Sequence, residues 1–184
     1  MVKTARRREL AWAMAGFLFT LLAGAALGPV WDWTGRSRAA AAFCVVNSSV
    51  WEQMKRVFLP AFAFSMVELW FQDMRGFLAA RGVSLWTGAA LVPVLHYTCL
   101  GITGRAERWM DAAVLLAASA AVFCLDLPLR RTGRLTAGWQ QAAGLAALWL
   151  PVLVFVLWTY RPPRLPLFLD MAAGLFGIPG PAGP

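Results

Sequence analysis

The side chains able to do chemistry in this 184-residue chain fall in a few short stretches. One is Trp31-Asp32-Trp33-Thr34-Gly35, and a second runs from Val46-Asn47-Ser48-Ser49 through Val50-Trp51-Glu52-Gln53-Met54-Lys55. A third is His96-Tyr97-Thr98, with Gly101, Gly104 and Asp111 beyond it, and the last is Tyr160-Arg161-Pro162-Pro163-Arg164 to Asp170. Asp32 or Glu52 has the chemistry of a general acid or base, and Lys55 or Arg161 that of a clamp on an anionic headgroup. His96 is the only histidine and sits in an apolar run, where an ionisable group is a functional candidate by default. One histidine does not make a zinc site, which needs three or four protein ligands. The chain has no C-x-x-C pair, nucleophile elbow, H-E-x-x-H or Walker loop, so no metal or cofactor is expected.

Each of these residues also has a plainer role. Ser49 and Glu52 read as a capping box, S-x-x-E, opening a helix. Glu52 and Lys55 stand i, i+3 and can pair on one helix face. Asp111 suits the positive end of a helix dipole, Asp32 can pair with Arg36 or Arg38, and His96 can pack against a neighbouring helix. Glu68 and Asp126 fall near segment ends close to Arg75 and Arg130, which suits ion pairs at an interface.

The elements that must hold these residues are membrane spans. Sixty per cent of the chain is hydrophobic and 14% is charged, against about a quarter charged in a soluble domain. Five stretches, 11–30, 50–70, 83–100, 109–127 and 142–160, approach the roughly 20 helical residues needed to cross a bilayer. A spanning segment must satisfy its own backbone hydrogen bonds, so these are helices. Trp12, Trp31, Trp51, Trp70, Trp86, Trp109, Trp158 and Tyr160 fall at segment ends, where amphipathic rings favour the headgroup zone. The expectation is an all-α, single-domain bundle of five transmembrane helices over 1–184, with a tail from 161.

Lys3, Arg6, Arg7 and Arg8 precede the first span and place the N-terminus in the cytoplasm. With Arg75, Arg81, Arg130, Arg131 and Arg134 they make nine positive residues on that side. Eight others, Arg36, Arg38, Lys55, Arg56, Arg105, Arg108, Arg161 and Arg164, fall on the opposite one. Five spans then leave the tail outside a cytoplasmic (bacterial inner) membrane. The first apolar run is longer than that of a signal peptide. The net charge of +8 comes in short clusters between apolar runs, which points to anionic lipid headgroups and away from nucleic acid.

Pro60 and Pro93 fall inside spans, where each removes a backbone hydrogen bond. Gly24 and Gly28 form a G-x-x-x-G, which serves packing within the chain or a homo-oligomer face. Cys44 and Cys99 fall toward the same side, leaving a disulfide open beside the reading of them and Cys124 as small apolar residues. No internal repeat of the inverted-transporter kind is present.

These motifs carry a resemblance. The chain resembles a family of small bacterial multi-pass membrane proteins classed as a domain of unknown function. That family has an aromatic-acidic-Trp-Ser/Thr-Gly segment after its first helix, met here by Trp31 to Gly35. It opens its second helix with Val-Asn-Glu-Ser-x-Trp-Glu-His-x-Lys, met by Val46 to Lys55. It closes with Tyr-x-Pro-x-x-Pro-Leu-Phe-x-Asp and a Gly-rich finish, met by Tyr160 to Asp170 with Gly174 and Gly177. Tyr97-Thr98-Cys99-Leu100-Gly101 meets its Tyr-Thr-x-x-Gly. Asn47, Trp51, Glu52 and Lys55 match, but the family's Glu is Ser48 here and its His is Gln53. If those two groups carry proton transfer or bind a metal in the family, this member lacks them. The resemblance implies the multi-pass architecture and singles out the outer motifs, and it brings no activity.

Three functions follow as expectations. The first is binding or transport of a small or lipidic ligand through a polar crevice on the outer face. That crevice would be formed by Asp32, Trp33, Asn47, Trp51, Glu52, Lys55, His96, Tyr97, Asp111, Tyr160 and Asp170. The second is an accessory or structural subunit of a membrane complex, docking a protein partner through Trp33, Trp51 and Phe168. The third is an enzyme acting on a lipid, with Glu52 or Asp32 as acid or base.

Overall fold

The computed structural model describes residues 2–71, 75–105 and 108–179. The side chains of Lys3 and Arg108, and the end of the tail at 180–184, lie outside the described residues. Five long helices carry the fold: α1 (Val2–Trp33), α3 (Val50–Glu68), α4 (Phe77–Thr103), α5 (Arg108–Arg131) and α6 (Gly138–Tyr160), with the short turn α2 (Arg38–Ala41) in the first connection. The tail makes a 3-10 turn at Pro166–Phe168 and a two-residue antiparallel pairing of β1 (Leu169–Asp170) with β2 (Leu175–Phe176).

Four helices, α1 from Arg6, α4, α5 from Trp109 and α6, are long and apolar enough to cross a membrane. The expected fifth, α3, forms at 50–68 but carries Glu52, Lys55, Arg56 and Glu68 in its 19 residues, too many charges to qualify by composition. Thirteen of those 19 residues are nevertheless buried, because α3 packs against α1, α4, α5 and α6 and forms the centre of the bundle. The third span also starts earlier than hydropathy suggests. Gly76 takes a left-handed φ of 72° and α4 begins at Phe77, which draws Arg81 out of the expected loop and into the helix.

Lipid-facing surface does not drive apolar side chains together, so close approach between helices needs small residues. A Cβ on Gly144 of α6 would lie 2.4 Å from the backbone of Leu78 in α4. A Cβ on Gly24 of α1 would lie 2.3 Å from the Arg56 carbonyl of α3, and the open side of Gly28 faces the Arg56 guanidinium. The G-x-x-x-G therefore packs within the chain. Pro60 lies inside α3, Pro93 inside α4 and Pro151 inside α6.

Successive helices alternate in direction. One end of the bundle gathers the connection 34–49, the α4–α5 turn and the tail, and is called the tail end below. The opposite end gathers the start of α1, the α3–α4 connection and the α5–α6 turn.

Candidate functional site

At the tail end the second motif folds in on itself. Ser49 caps α3, its Oγ accepting from the Glu52 N–H at 3.3 Å. The other half of the capping box does not form. The Ser49 N–H instead donates to Asn47 Oδ1 at 2.9 Å, and the Glu52 carboxylate turns inward to accept from the Val46 N–H at 3.0 Å. Lys55, one turn along, reaches the same carboxylate at 2.8 Å with its side chain fully buried. Its other two protons go to the Cys44 carbonyl at 3.1 Å and to Thr159 Oγ1 at 2.7 Å. An ammonium has three donors, and all three are used. Thr159 in turn donates to the Phe155 carbonyl of its own helix, so the cluster ties the first connection to α3 and α6.

The tail closes over this cluster. Asn47 Nδ2 donates to the Gly177 carbonyl at 2.8 Å, and the Ser48 N–H donates to Asp170 Oδ2 at 3.0 Å. Asp170 also accepts from Ala172 N–H at 2.9 Å, which fixes the turn before β2. Phe168 is buried against Trp51 and Trp158, with ring centroids 4.8 and 5.5 Å away. The Tyr160 hydroxyl donates to the Arg38 carbonyl. Cys44 is buried and free, as are Cys99 and Cys124 in being unbridged. Burial pushes the Cys44 thiol up, opposed by the smaller effect of the Lys55 charge.

The expected residues thus divide. Asn47, Trp51, Glu52, Lys55 and Asp170 converge, but as a packed and mutually bonded group. Asp111 joins from α5 by accepting from Gln53 Nε2 at 2.9 Å. Asp32 stays at the surface, paired with Arg36 at 2.9 Å, and Trp33 is exposed beside it. His96 is buried in α4 against the edge of Tyr97, with Nδ1 unpartnered among the described residues. Neither His96 nor the half-exposed Tyr97 takes part in the bonds around Glu52 and Lys55.

The opposite end holds the charged group in which Glu68 and Asp126 pair with Arg130, as expected, and with Arg81, which the sequence placed in a loop. Arg81 is fully buried and donates to Asp126 from Nε at 3.2 Å and from Nη2 at 2.9 Å. It also reaches Glu68 at 2.7 Å and Ser65 at 3.1 Å. Arg130 joins the same two carboxylates, meeting Glu68 at 2.9 Å and also bonding Asp126. The rings of Phe77 and Phe123 cover the Arg81 guanidinium at about 5 Å. Glu68 and Asp126 were expected to pair near Arg75 and Arg130. Arg130 does pair with both, and Arg81 joins them because α4 opens at Phe77, ahead of the apolar run that begins at 83. A polar residue one turn inside a helix that opens at Gly76 was the available signal.

Between the two clusters an apolar cleft of about 350 Å³ lies among α3, α4 and α6. Trp51, Met54 and Phe58 of α3 line it, with Trp86 and Ala89 of α4 and the 150–158 stretch of α6, including Pro151, Val154 and Trp158. No polar atom lines it. Trp86 is held in place by donating to the Ala147 carbonyl at 3.0 Å. Toward the opposite end α4 and α6 close tightly at Gly82 and Gly144. Phe168, touching both Trp51 and Trp158, stands next to the cleft on the tail side.

The profile of a family of unknown function, DUF6512, matches residues 1–178, and the chain belongs to that family. No curated protein and no solved structure matches it.

Proposed function

We propose, from membership of a family to which no activity is assigned, that this is a five-span protein of the cytoplasmic membrane that holds the hydrocarbon tail of a lipid-like ligand. The tail occupies the cleft among α3, α4 and α6. The carrying observation is that this cleft, about 350 Å³, is lined only by apolar atoms, with Trp51, Trp86 and Trp158 around it. It borders α4 and α6, two of the helices apolar enough to cross a membrane, and Leu150 in its lining is exposed on the outside of the bundle. The solvent at that surface is bilayer hydrocarbon, so an acyl or isoprenoid chain is the matching occupant. Support for α3 as the fifth span comes from its burial, since ionisable groups in a membrane face the bundle interior and pair there. The basic cluster Arg6, Arg7 and Arg8 supports a cytoplasmic N-terminus.

The polar residues of the tail end have their bonds turned inward, so they serve the cleft by holding its walls. An accessory-subunit reading rests on Trp33 and Tyr97, motif rings that remain exposed at this end.

A lipid carrying a photoreactive diazirine in its tail tests the proposal in nanodiscs. Crosslinks should concentrate on Trp86, Leu150 and Val154, and Val154→Trp, at a half-exposed position, should abolish them by filling the space. Crosslinks spread evenly over the exposed Leu145, Leu153 and Leu157, unchanged by Val154→Trp, would sink it.

A further inference from the structure

We infer that Arg6, Arg7 and Arg131 form a binding site for the phosphate headgroup of an anionic phospholipid, distinct from the tail cleft and at the other end of the bundle. The three side chains border one cavity of about 360 Å³, whose remaining lining is Leu10 and Leu127. The spacing carries the argument. Arg6 and Leu10 stand i, i+4 on α1, and Leu127 and Arg131 stand i, i+4 on α5. The two helices run in opposite directions and pack together. Each therefore presents a guanidinium at the end of a candidate span and a leucine one turn deeper, about 6 Å along the axis. That two-storey arrangement suits a phosphodiester above and the start of an acyl chain below. A free phosphate would have no use for the lower storey.

The charge fits as well. Arg131 pairs with Glu9 at 2.8 Å and both remain partly exposed. Three guanidiniums against one carboxylate leave an excess of two positive charges. Arg8 points elsewhere, donating to the Phe71 carbonyl at 2.7 Å. Guanidinium groups bind phosphate oxygens in pairs of parallel bonds, whereas the ammonium of a zwitterionic headgroup would meet like charge.

The test is native mass spectrometry of the purified full chain in neutral detergent with phosphatidylglycerol or phosphatidylcholine added at equal concentration. Phosphatidylglycerol should be retained preferentially. Each basic residue near an anionic headgroup is worth roughly 1 kcal/mol, so R6Q/R7Q should weaken retention about 30-fold. R161Q/R164Q, the same charge loss at exposed positions of the tail end, should leave it unchanged. Leu10→Gln should weaken lipid retention too, which a site for inorganic phosphate would not register. Equal retention of the two lipids would overturn the inference, as would equal losses in the two double variants. Displacement of the lipid by millimolar inorganic phosphate would assign the site to a free anion instead.

Discussion

Replacing Lys55 by Met separates a structural lock from a ligand clamp. The Lys55 side chain is fully buried and its ammonium makes three bonds, to Glu52, the Cys44 carbonyl and Thr159. Met keeps much of the volume and removes the charge. Glu52, itself 2% exposed, then keeps a buried carboxylate with no cation beside it. Breaking a buried pair from one side costs about 3–5 kcal/mol, and the Cys44 carbonyl also loses a partner. Against a total stability of about 5–15 kcal/mol, that is a large fraction. Removing both charges is milder, because in E52Q/K55M the Gln oxygen still accepts from the Val46 N–H and no bare charge remains. The double variant should recover at least about 2 kcal/mol of the single loss. Glu52→Gln alone should be destabilising too, since it strands the Lys55 ammonium. A side chain that only closed a capping box would tolerate Gln. The assay is denaturation in mixed micelles of mild detergent and dodecyl sulfate, followed by tryptophan fluorescence. An unchanged K55M midpoint would refute the reasoning, and so would a double variant no more stable than the single.

The charged group at the other end should behave in the same way. Arg81→Leu leaves Glu68 and Asp126 buried with Arg130 alone and should cost about 3–5 kcal/mol in the same titration. Arg81→Lys should recover only part, because an ammonium cannot reproduce the two-pronged contact with Asp126. Gly144→Ala puts a methyl group 2.4 Å from the Leu78 backbone and should destabilise by about 1–3 kcal/mol or more. Gly101→Ala, with nothing within 4 Å, should be neutral or stabilising in the same titration. Cys44 is buried with its thiol pushed up, so its thiolate fraction at any given pH is below that of a free cysteine. It should resist maleimide at pH 8 in native micelles and react on unfolding, as read by peptide mass spectrometry.

Much of the architecture was legible in the residues alone. Apolar runs with tryptophans at their ends pointed to an all-α chain with membrane-spanning helices, and the match over residues 1–178 agrees with the expected family of unknown function over nearly the whole chain. Helix starts were less legible, because hydropathy reads the lipid-facing stretch and not the hydrogen-bonded one. By hydropathy Arg81 falls in a loop, although it lies inside α4. The same limit affects α3, whose four charges keep it out of the segments apolar enough to span although neighbouring helices bury most of it. The direction of each polar side chain was beyond the sequence. Glu52 and Lys55 are three apart on one helix, and spacing alone predicts their pairing. Whether their remaining bonds turn to a ligand or inward depends on Val46, Cys44 and Thr159. Thr159 lies more than a hundred positions away and comes close only through the packing of α6 on α3. The sequence by itself determined which segments are apolar enough to cross a membrane, because that depends on composition summed along short segments. The tertiary structure decided which polar groups are spent on the fold and which space is left apolar, because both depend on contacts between helices far apart in the chain.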